Sequence, residues 1–527
     1  MKIRNQWLAA PLGAATAAAL LSGCGSQEGP ADGDGKSVVM GMSDEVKATD
    51  PASGYDPGSW LLFNNVFQSL LHFPKGATAP APDAAETCGF KGSDSKVYTC
   101  TLRTGLKFSN GNALTSKDVK FSFERTLKIN DENGPAVMLT SIAGIDTPDD
   151  KTVTFRLKTP DATFPSKIAS GAGSIVDHTE YPADKLRTDG KAVGSGVYKL
   201  DSFGDKSASL SVNSSYTGQA KAKNNGVTIK FFDGDQTALK KALEDGQVDF
   251  AFRGLDPKDI PNPAASTGTD GKPSAIQGTG AEVSHLVFNM NDPVAGKLPV
   301  RKAMAYLLDR EALVRNVHQG TATPLYSIVP AGIGGHTTPF FDKYGSSPQA
   351  DKAKEVLDKG GIKGKVKLTL WSTPSRYGPA TGRDLEVIAK QLNDSGLFQA
   401  DVKSSEFDQY EKDIEAGKYG VYVRGWVPDY PDADNFTAPF FGKDNVLKNN
   451  YNNKEITEKI IPQTSAVSDR TSISTDYARL QDIVAEEIPL LPLWQSKQYA
   501  VARPNVTGLQ WSLDASTVFR FWEISKG

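Results

Sequence analysis

The alternation of apolar and polar residues predicts short strands interleaved with amphipathic helices along most of the chain. This order is typical of a mixed α/β fold. No internal repeat is apparent. Strands are predicted at 38–42, 97–99, 152–157, 194–200, 209–212, 227–232, 248–252, 286–288, 365–371 and 419–426, and helices at 60–73, 116–127, 237–243, 300–320, 383–392, 408–416 and 477–487.

The N-terminus has the pattern of an export signal. Lys2 and Arg4 precede an uncharged, Ala- and Leu-rich stretch at 7–21, which is too short to cross a bilayer. It ends in Leu-Ser-Gly before Cys24, which resembles the lipobox of bacterial lipoproteins. We expect a signal peptide at 1–23, a lipid on Cys24 and a flexible Gly- and Ser-rich tether at 24–37. The alternative is ordinary secretory cleavage beside an incidental cysteine.

The chain has three cysteines, and lipidation of Cys24 would leave Cys88 and Cys100 as a pair in an oxidising compartment. Their separation of twelve residues suits a hairpin with its turn at 89–96. We therefore predict a disulfide between Cys88 and Cys100. Closing a loop of this length stabilises a fold by about 2 to 3 kcal/mol.

Composition limits the classes of function. With 527 residues the chain exceeds one usual core, so we expect two or more domains or lobes. The 62 acidic and 59 basic side chains nearly balance, which argues against a nucleic-acid partner. The five histidines are scattered without a metal-ligand spacing. We expect neither a metal site nor a cofactor.

Motifs for catalysis fail on spacing. Gly35-Lys36-Ser37 would need a glycine at position 30 to form a phosphate-binding loop, and that residue is proline. No Gly-x-Ser-x-Gly elbow and no dinucleotide-binding glycine pattern occur. Paired carboxylates could still meet in the fold, so a surface-anchored hydrolase remains an alternative, although no nucleophile and base stand out.

Four segments stand in an order that resembles one family. Gly425 to Asp432 reads Gly-Trp-Val-Pro-Asp-Tyr-Pro-Asp. The other segments are Asp50-Pro51 with 65–71, 102–111 with 118–125, and Phe288-Asn289 with 300–303 and 308–310. Together they resemble the extracellular solute-binding proteins of the oligopeptide, dipeptide and nickel class of ATP-driven (ABC) importers.

This resemblance implies a two-lobed periplasmic-binding-protein-like α/β fold. Crossing strands form a hinge, the lobes close on ligand, and the first lobe carries an additional inserted domain. Mapped onto this chain, lobe one comprises 38–67, 193–281 and 491–527. The inserted domain is 68–192 and lobe two is 282–490.

The resemblance also implies a binding site. Asp429 stands where peptide-binding relatives pair an aspartate with the ligand's α-ammonium, and a cation sealed in a cleft needs such a partner. The alternative role of Asp429 is to cap its own turn. Gly425 would let a ligand backbone approach as an added strand. Trp426 would form the wall of a side-chain pocket, or else belong to the core.

Four further residues are weaker candidates. Tyr55 and Asp56 occupy the family's cleft-lining position by location and not by residue type, and the alternative is an exposed turn. Arg424 could meet a ligand carboxylate, with a salt bridge in solvent as the alternative. Asn289 is a further candidate ligand contact.

These observations predict a monomeric receptor, and not an enzyme, on the extracytoplasmic face of the bacterial cell membrane. It would capture short peptides and deliver them to an ABC permease powered by its ATPase subunits. The lipid on Cys24 would hold it at the membrane. The alternative ligand is a sugar, an opine or a metal chelate.

Overall fold

The computed structural model describes residues 36–261, 271–374, 376–378, 380–443 and 445–527. The predicted signal peptide and Cys24 lie outside the described residues, as does the tether except for its last two residues. Within the described ranges, no helix has the length and apolar character needed to cross a membrane.

The strands and helices alternate along the whole described chain, as the apolar pattern predicts. The strands are β1 (Val38–Met42), β2 (Leu71–His72), β3 (Ala81–Pro82), β4 (Ala85–Phe90), β5 (Val97–Leu102), β6 (Ile142–Asp146), β7 (Thr152–Leu157), β8 (Tyr198–Gly204), β9 (Ser207–Val212), β10 (Gly226–Phe231), β11 (Phe250–Phe252), β12 (Ser274–Phe288), β13 (Ala322–Pro324), β14 (Val366–Ser372), β15 (Phe398–Ser404), β16 (Val421–Trp426), β17 (Leu490–Ala502), β18 (Val506–Thr507) and β19 (Ser525–Lys526). The α-helices are α1 (Pro57–Val66), α2 (Ser116–Ile129), α3 (Phe164–Lys167), α4 (Gln236–Glu244), α5 (Leu298–Leu307), α6 (Arg310–Leu313), α7 (Pro339–Tyr344), α8 (Ala350–Lys359), α9 (Thr381–Asp394), α10 (Phe407–Glu415), α11 (Ala438–Phe441), α12 (Ile461–Ala466) and α13 (Ser474–Glu487).

Two long antiparallel strands, β12 and β17, join the halves of the molecule. The main sheet runs β15-β14-β16-β12-β17-β11-β1-β10-β9-β8, with β13 attached to β17. The β12–β17 register shifts between Thr279 and Val283 and again between Ser284 and His285. On one side of this pair lie the strands of the second lobe, and on the other those of the first. The two strands therefore occupy the position of a hinge.

Each side has its own hydrophobic core. Most apolar side chains between 281 and 494 form one buried cluster, and most of those from 38–252 and 500–524, together with Tyr430, form another. The segment 68–192 contributes a separate four-stranded sheet, ordered β4-β5-β7-β6, but its core is continuous with that of the first lobe. The exact lobe and insert boundaries remain a prediction.

The predicted cysteine hairpin is present. Cys88 on β4 lies opposite Cys100 on β5, and the two form a disulfide. Gly89 belongs to β4, so the turn begins at Lys91, two residues later than predicted. The predicted capping box also forms, because the carboxylate of Asp118 accepts from the Thr115 backbone N–H at 2.8 Å at the start of α2.

Two predicted helices were wrong in extent. Asp56 caps α1 and Pro57 begins it, and the helix ends where Phe67 turns extended, so the predicted helix at 60–73 gives way to strand β2. The predicted helix at 300–320 breaks at Leu308, which is extended, and Asp309 caps a new helix by accepting from the Ala312 N–H. In both segments the apolar residues keep a helical spacing beyond the point where the helix ends, so the spacing alone does not mark the helix boundaries.

Candidate ligand-binding site

The site is built on the loop that follows β16. Asn435 is buried in a 3-10 turn after this loop and hydrogen-bonds to two of the predicted site residues, Trp426 and Asp429. Its side-chain oxygen accepts from Trp426 Nε1 and from the backbone N–H of Asp429, each at 2.9 Å. Its Nδ2 donates to Asp429 Oδ2 at 2.9 Å. One amide thus fixes the positions of the indole and the carboxylate, and sequence reasoning did not select it.

Tyr55 reaches the same carboxylate from the other lobe. Its hydroxyl donates to Asp429 Oδ2 at 3.0 Å, and its ring packs 5.5 Å from that of Trp60. Burial, followed by the neighbouring Asp429 charge, raises the pKa of Tyr55 well above its ordinary value. The hydroxyl therefore stays protonated and donates across the boundary between the lobes. The structure brings Tyr55 and Asp429 together, and the ligand contact predicted for each of them stays a prediction.

Among the described residues, the Asp429 carboxylate has no ion-pair partner. Burial raises its pKa to about 6, against the lowering effects of the Asn435 and Tyr55 hydrogen bonds and of the Lys167 charge. Lys167 itself pairs with Asp161 at 2.8 Å. Within the described residues, the direct donors to Asp429 are neutral. A carboxylate in this state is favourable for an entering cation.

Arg424 is occupied inside the protein. Its guanidinium makes a bidentate ion pair with Glu411, with Nη2 3.0 Å from Oε2, and Nη1 donates to the Tyr377 hydroxyl at 2.9 Å. The predicted alternative to a ligand contact was a salt bridge in solvent, but Arg424 is only 8% exposed, so the arginine of this ion pair is buried. Arg424 therefore positions Tyr377, a residue that sequence reasoning missed.

Gly425 lies so close to the Tyr377 ring that a side chain at this position would clash with it. A Cβ on this residue would lie 2.8 Å from Tyr377 Cδ1, so the aromatic ring covers the glycine directly. One edge of β16 pairs with β12 along its whole length, whereas the other edge pairs with β14 only at Val421 and Tyr422. Within the described residues, the end of β16 at Gly425 thus has an edge without a strand partner.

Trp426 is only partly buried, and its ring packs edge-on against Phe440 at 5.3 Å. The indole thus has one face in the core of the second lobe and retains some exposure beside Asp429. Trp426 therefore packs partly in the core, and its role as the wall of a side-chain pocket stays a prediction.

Asp56 and Asn289 have structural partners instead. Asp56 Oδ1 accepts from the Ser59 N–H at 2.8 Å and caps α1. Asn289 is buried, accepts from the Asn450 side chain at 3.0 Å, and begins the turn after β12. Its N–H pairs with the Gly420 carbonyl at the opposite end of β16 from Trp426, about 17 to 20 Å away at 3.3 Å per residue.

One group of potential metal ligands occurs in the described residues, away from Asp429. Donor atoms of Asp118, Asp177 and His178 lie within 4.8 Å of one another. Their carboxylates already accept hydrogen bonds, Asp118 from His178 Nδ1 at 2.7 Å and Asp177 from Asn112 at 2.8 Å. The cluster is therefore satisfied as a hydrogen-bond network that joins α2 to the loop at 177–179.

Two lobes joined by long crossing strands, with a polar site at their boundary, define a periplasmic-type binding protein. The model of the bacterial extracellular solute-binding proteins, family 5 (middle region), matches residues 79–448, and the chain belongs to this family. Its members are binding proteins of ABC import and not enzymes, and this chain is accordingly a solute-binding protein.

Relatives and solved structures agree with this assignment. The chain is 26% identical over 498 residues to a dipeptide-binding protein of Pseudomonas aeruginosa, covering 88% of this chain and 90% of the relative. It resembles the structure of the binding protein DppA from Helicobacter pylori with a bound peptide, at TM-score 0.78 and 22% identity, covering 93% and 98% of the two chains. It also resembles AgaA of A. tumefaciens R10 with agropinic acid, at TM-score 0.76 and 23% identity, covering 93% and 99%. The predicted two-lobed fold is confirmed.

Proposed function

We propose that this receptor captures short peptides between its lobes and binds their α-ammonium group with Asp429. The observation that carries the proposal is a shielded carboxylate whose direct donors within the described residues, Tyr55 and Asn435, are neutral. An ammonium group would supply both the missing charge and further N–H donors. The P. aeruginosa relative is named a dipeptide-binding protein, which supports the same ligand class.

The unpaired end of β16 supports recognition of the peptide backbone. An extended ligand beside Gly425 could add to the sheet, and main-chain hydrogen bonds of this kind are indifferent to side-chain identity. Trp426 would contact the first ligand side chain through its exposed part. Tyr55 and Asp429, one from each lobe, would be brought to their present contact as the lobes close around the ligand.

The test is isothermal titration calorimetry with a mixture of di- to tetrapeptides, repeated with the same peptides acetylated at their N-terminus. We expect binding of the free peptides, a loss of at least about 30-fold for Asp429→Ala, and a similar loss for acetylated peptides, since truncating one side of a buried charge pair costs about 2 to 5 kcal/mol. Asp408→Ala, an exposed aspartate on α10, is the matched control. Unchanged affinity in Asp429→Ala would refute the assignment of the site.

A non-peptide solute is the second candidate ligand. The similarity of the fold to that of AgaA with agropinic acid supports it. A thermal-shift screen with sugars, opines and metal chelates distinguishes the two classes. Stabilisation by one of these compounds without any response to peptides would replace the peptide proposal and retain the receptor.

We further propose that the receptor is a monomer anchored on the extracytoplasmic face of the membrane by a diacyl lipid on Cys24, and that it delivers ligand to an ABC permease and its ATPase subunits. One acyl chain binds a protein to a membrane only marginally, whereas two acyl chains anchor it stably. Tethering would raise the receptor's effective concentration at the permease. Cys24→Ala should release the protein from membranes in a fractionation experiment and leave its ligand affinity intact. Retention of this variant on membranes would contradict the anchor.

A further inference from the structure

Arg310 is the last residue of the Leu308-Asp309-Arg310 motif, and neither the binding site nor the hinge motion accounts for it. It begins α6 in the second lobe and is only 1% exposed, among the largest fully buried side chains described. Asp309 uses its carboxylate to cap the helix through the Ala312 N–H. The helix cap explains the aspartate of the motif but not the buried arginine beside it.

The guanidinium of Arg310 has one protein acceptor. Its Nε donates to the Pro492 carbonyl at 2.6 Å, and within the described residues neither Nη1 nor Nη2 has a hydrogen-bond partner. The Tyr326 ring lies 5.0 Å and the Phe340 ring 6.0 Å from the guanidinium carbon. The Tyr326 hydroxyl is also buried without a partner among the described residues. The unpartnered guanidinium N–H groups and the unpartnered phenolic O–H therefore belong to two side chains in contact with each other.

The charge balance at Arg310 is incomplete. No carboxylate of the described residues forms an ion pair with it, and its neighbour Glu311 is exposed. Contacts with two aromatic rings offset only part of the cost of burying an unpaired cation. Burial lowers the pKa of Arg310 to about 10, so the group remains positively charged at neutral pH.

We propose that Arg310 and Tyr326 form a buried binding site for a small monovalent anion, of which chloride is the simplest. Such an ion accepts several N–H and O–H donors at once and supplies the missing negative charge. Because Arg310 is only 1% exposed, its guanidinium is inaccessible to a ligand as large as a peptide carboxylate or a lipid headgroup. The site is independent of Asp429 and of ligand class.

The location suggests what the anion would stabilise. Pro492 belongs to crossing strand β17 and lies opposite His285 of β12, at one of the two register shifts between these strands. The Arg310–Pro492 hydrogen bond thus fixes the irregular part of the crossing strand from the side of the second lobe. An anion that holds the guanidinium in place would support the strand at the hinge.

The first test measures thermal unfolding of the full chain at constant ionic strength while chloride replaces gluconate. We expect the melting temperature to rise by about 2 °C with a saturable dependence on chloride. The rise should vanish in Arg310→Met and shrink in Tyr326→Phe. Arg315→Met, which changes an exposed arginine on the following turn, should retain it in full. A rise of the same size in all three variants, or none in the wild type, would overturn the proposal.

The second test does not depend on whether Arg310→Met folds. Crystals of the wild-type protein soaked in bromide and measured at the bromine absorption edge should show an anomalous peak in contact with both Nη atoms of Arg310 and the Tyr326 hydroxyl. Ordered water at that position without an anomalous peak would show that solvent satisfies the guanidinium, and the proposal would then be wrong.

Discussion

Asp50 and Asp429 are both shielded carboxylates with very different partners. The Asp50 carboxylate accepts hydrogen bonds from the two Nη atoms of Arg125 at 2.8 and 2.6 Å and from the backbone N–H of Arg187 at 2.7 Å. Among the described residues, the side-chain donors to Asp429 are the neutral groups of Tyr55 and Asn435. The charge of Asp50 is compensated inside the chain, so this carboxylate stabilises the fold. The charge of Asp429 is not compensated by an ion pair among the described residues, and this difference separates the proposed binding carboxylate from a structural one.

The largest effect should come from breaking the structural pair. Asp50→Ala leaves Arg125 buried without its counter-charge, and we expect the free energy of unfolding to fall by about 3 to 5 kcal/mol. Chemical denaturation measures it. The control is Asp146→Ala, which removes an exposed pair with Arg156 and should cost less than about 1 kcal/mol. Equal losses in the two variants would remove the distinction between buried and exposed pairs on which the comparison rests.

At Asp429, the proposed binding carboxylate, we expect removal of the charge to stabilise the fold. Burial raises the pKa of Asp429 from 3.8 to about 6, so ionisation at pH 7.5 opposes folding by up to about 3 kcal/mol. Asp429→Asn removes that charge and should raise the free energy of unfolding of the ligand-free protein by up to this amount. Denaturant titration of the unliganded protein at pH 7.5 is the measurement.

The pH dependence supplies the check on this sign. A raised carboxyl pKa gives stability that is complete below 3.8 and is lost as the pH rises through about 6. The advantage of Asp429→Asn over the wild type should therefore shrink as the pH falls from 7.5 towards 4. A variant that is less stable than the wild type at pH 7.5 would mean that the carboxylate is needed by the fold, as Asp50 is.

The sequence predicted the local elements well where one apolar stripe or one turn decides them. The disulfide hairpin, the capping box of α2 and strand β7 follow from residues close in the chain. The predicted strand at 286–288 is instead the end of β12, which begins at Ser274. A long strand that crosses between lobes has an irregular burial pattern, so periodicity identifies only its buried end.

The site was predictable only in part, because contacts between residues distant in sequence leave no local pattern. Asp429 and Trp426 were selected through a resemblance in one segment, but the groups that hold them are distant in sequence or carry no pattern. Asn435 is a single amide in a short turn, and Tyr377 meets Gly425 through the fold alone. Asn289 was selected from a similar segment, yet it lies at the far end of β16.

Ligand affinity should depend on pH through the same carboxylate. If a peptide ammonium binds ionised Asp429, protonation of the free site below its pKa of about 6 competes with the ligand. The dissociation constant should be constant from pH 8 to 7 and then rise by about tenfold per unit, or about 1.4 kcal/mol, below pH 6. Calorimetric titration with one peptide across this range measures the profile. Asp429→Asn should bind weakly with no such dependence, and a flat wild-type profile would contradict the role of Asp429.

The smallest effect should come from the residue that reaches Asp429 across the lobes. Tyr55→Phe removes one hydrogen bond, which costs about 0.5 to 1.5 kcal/mol in peptide affinity at pH 7.5. Because that bond lowers the pKa of Asp429, its loss should also move the midpoint of the affinity profile to higher pH. A merely structural role for Tyr55 would weaken binding equally at every pH. Tyr499→Phe, whose hydroxyl bonds Gln277 and not Asp429, should leave the midpoint unchanged. A midpoint that moves to lower pH in Tyr55→Phe would show that the hydroxyl does not stabilise the charge, and that Asn435 alone prepares the carboxylate for its ligand.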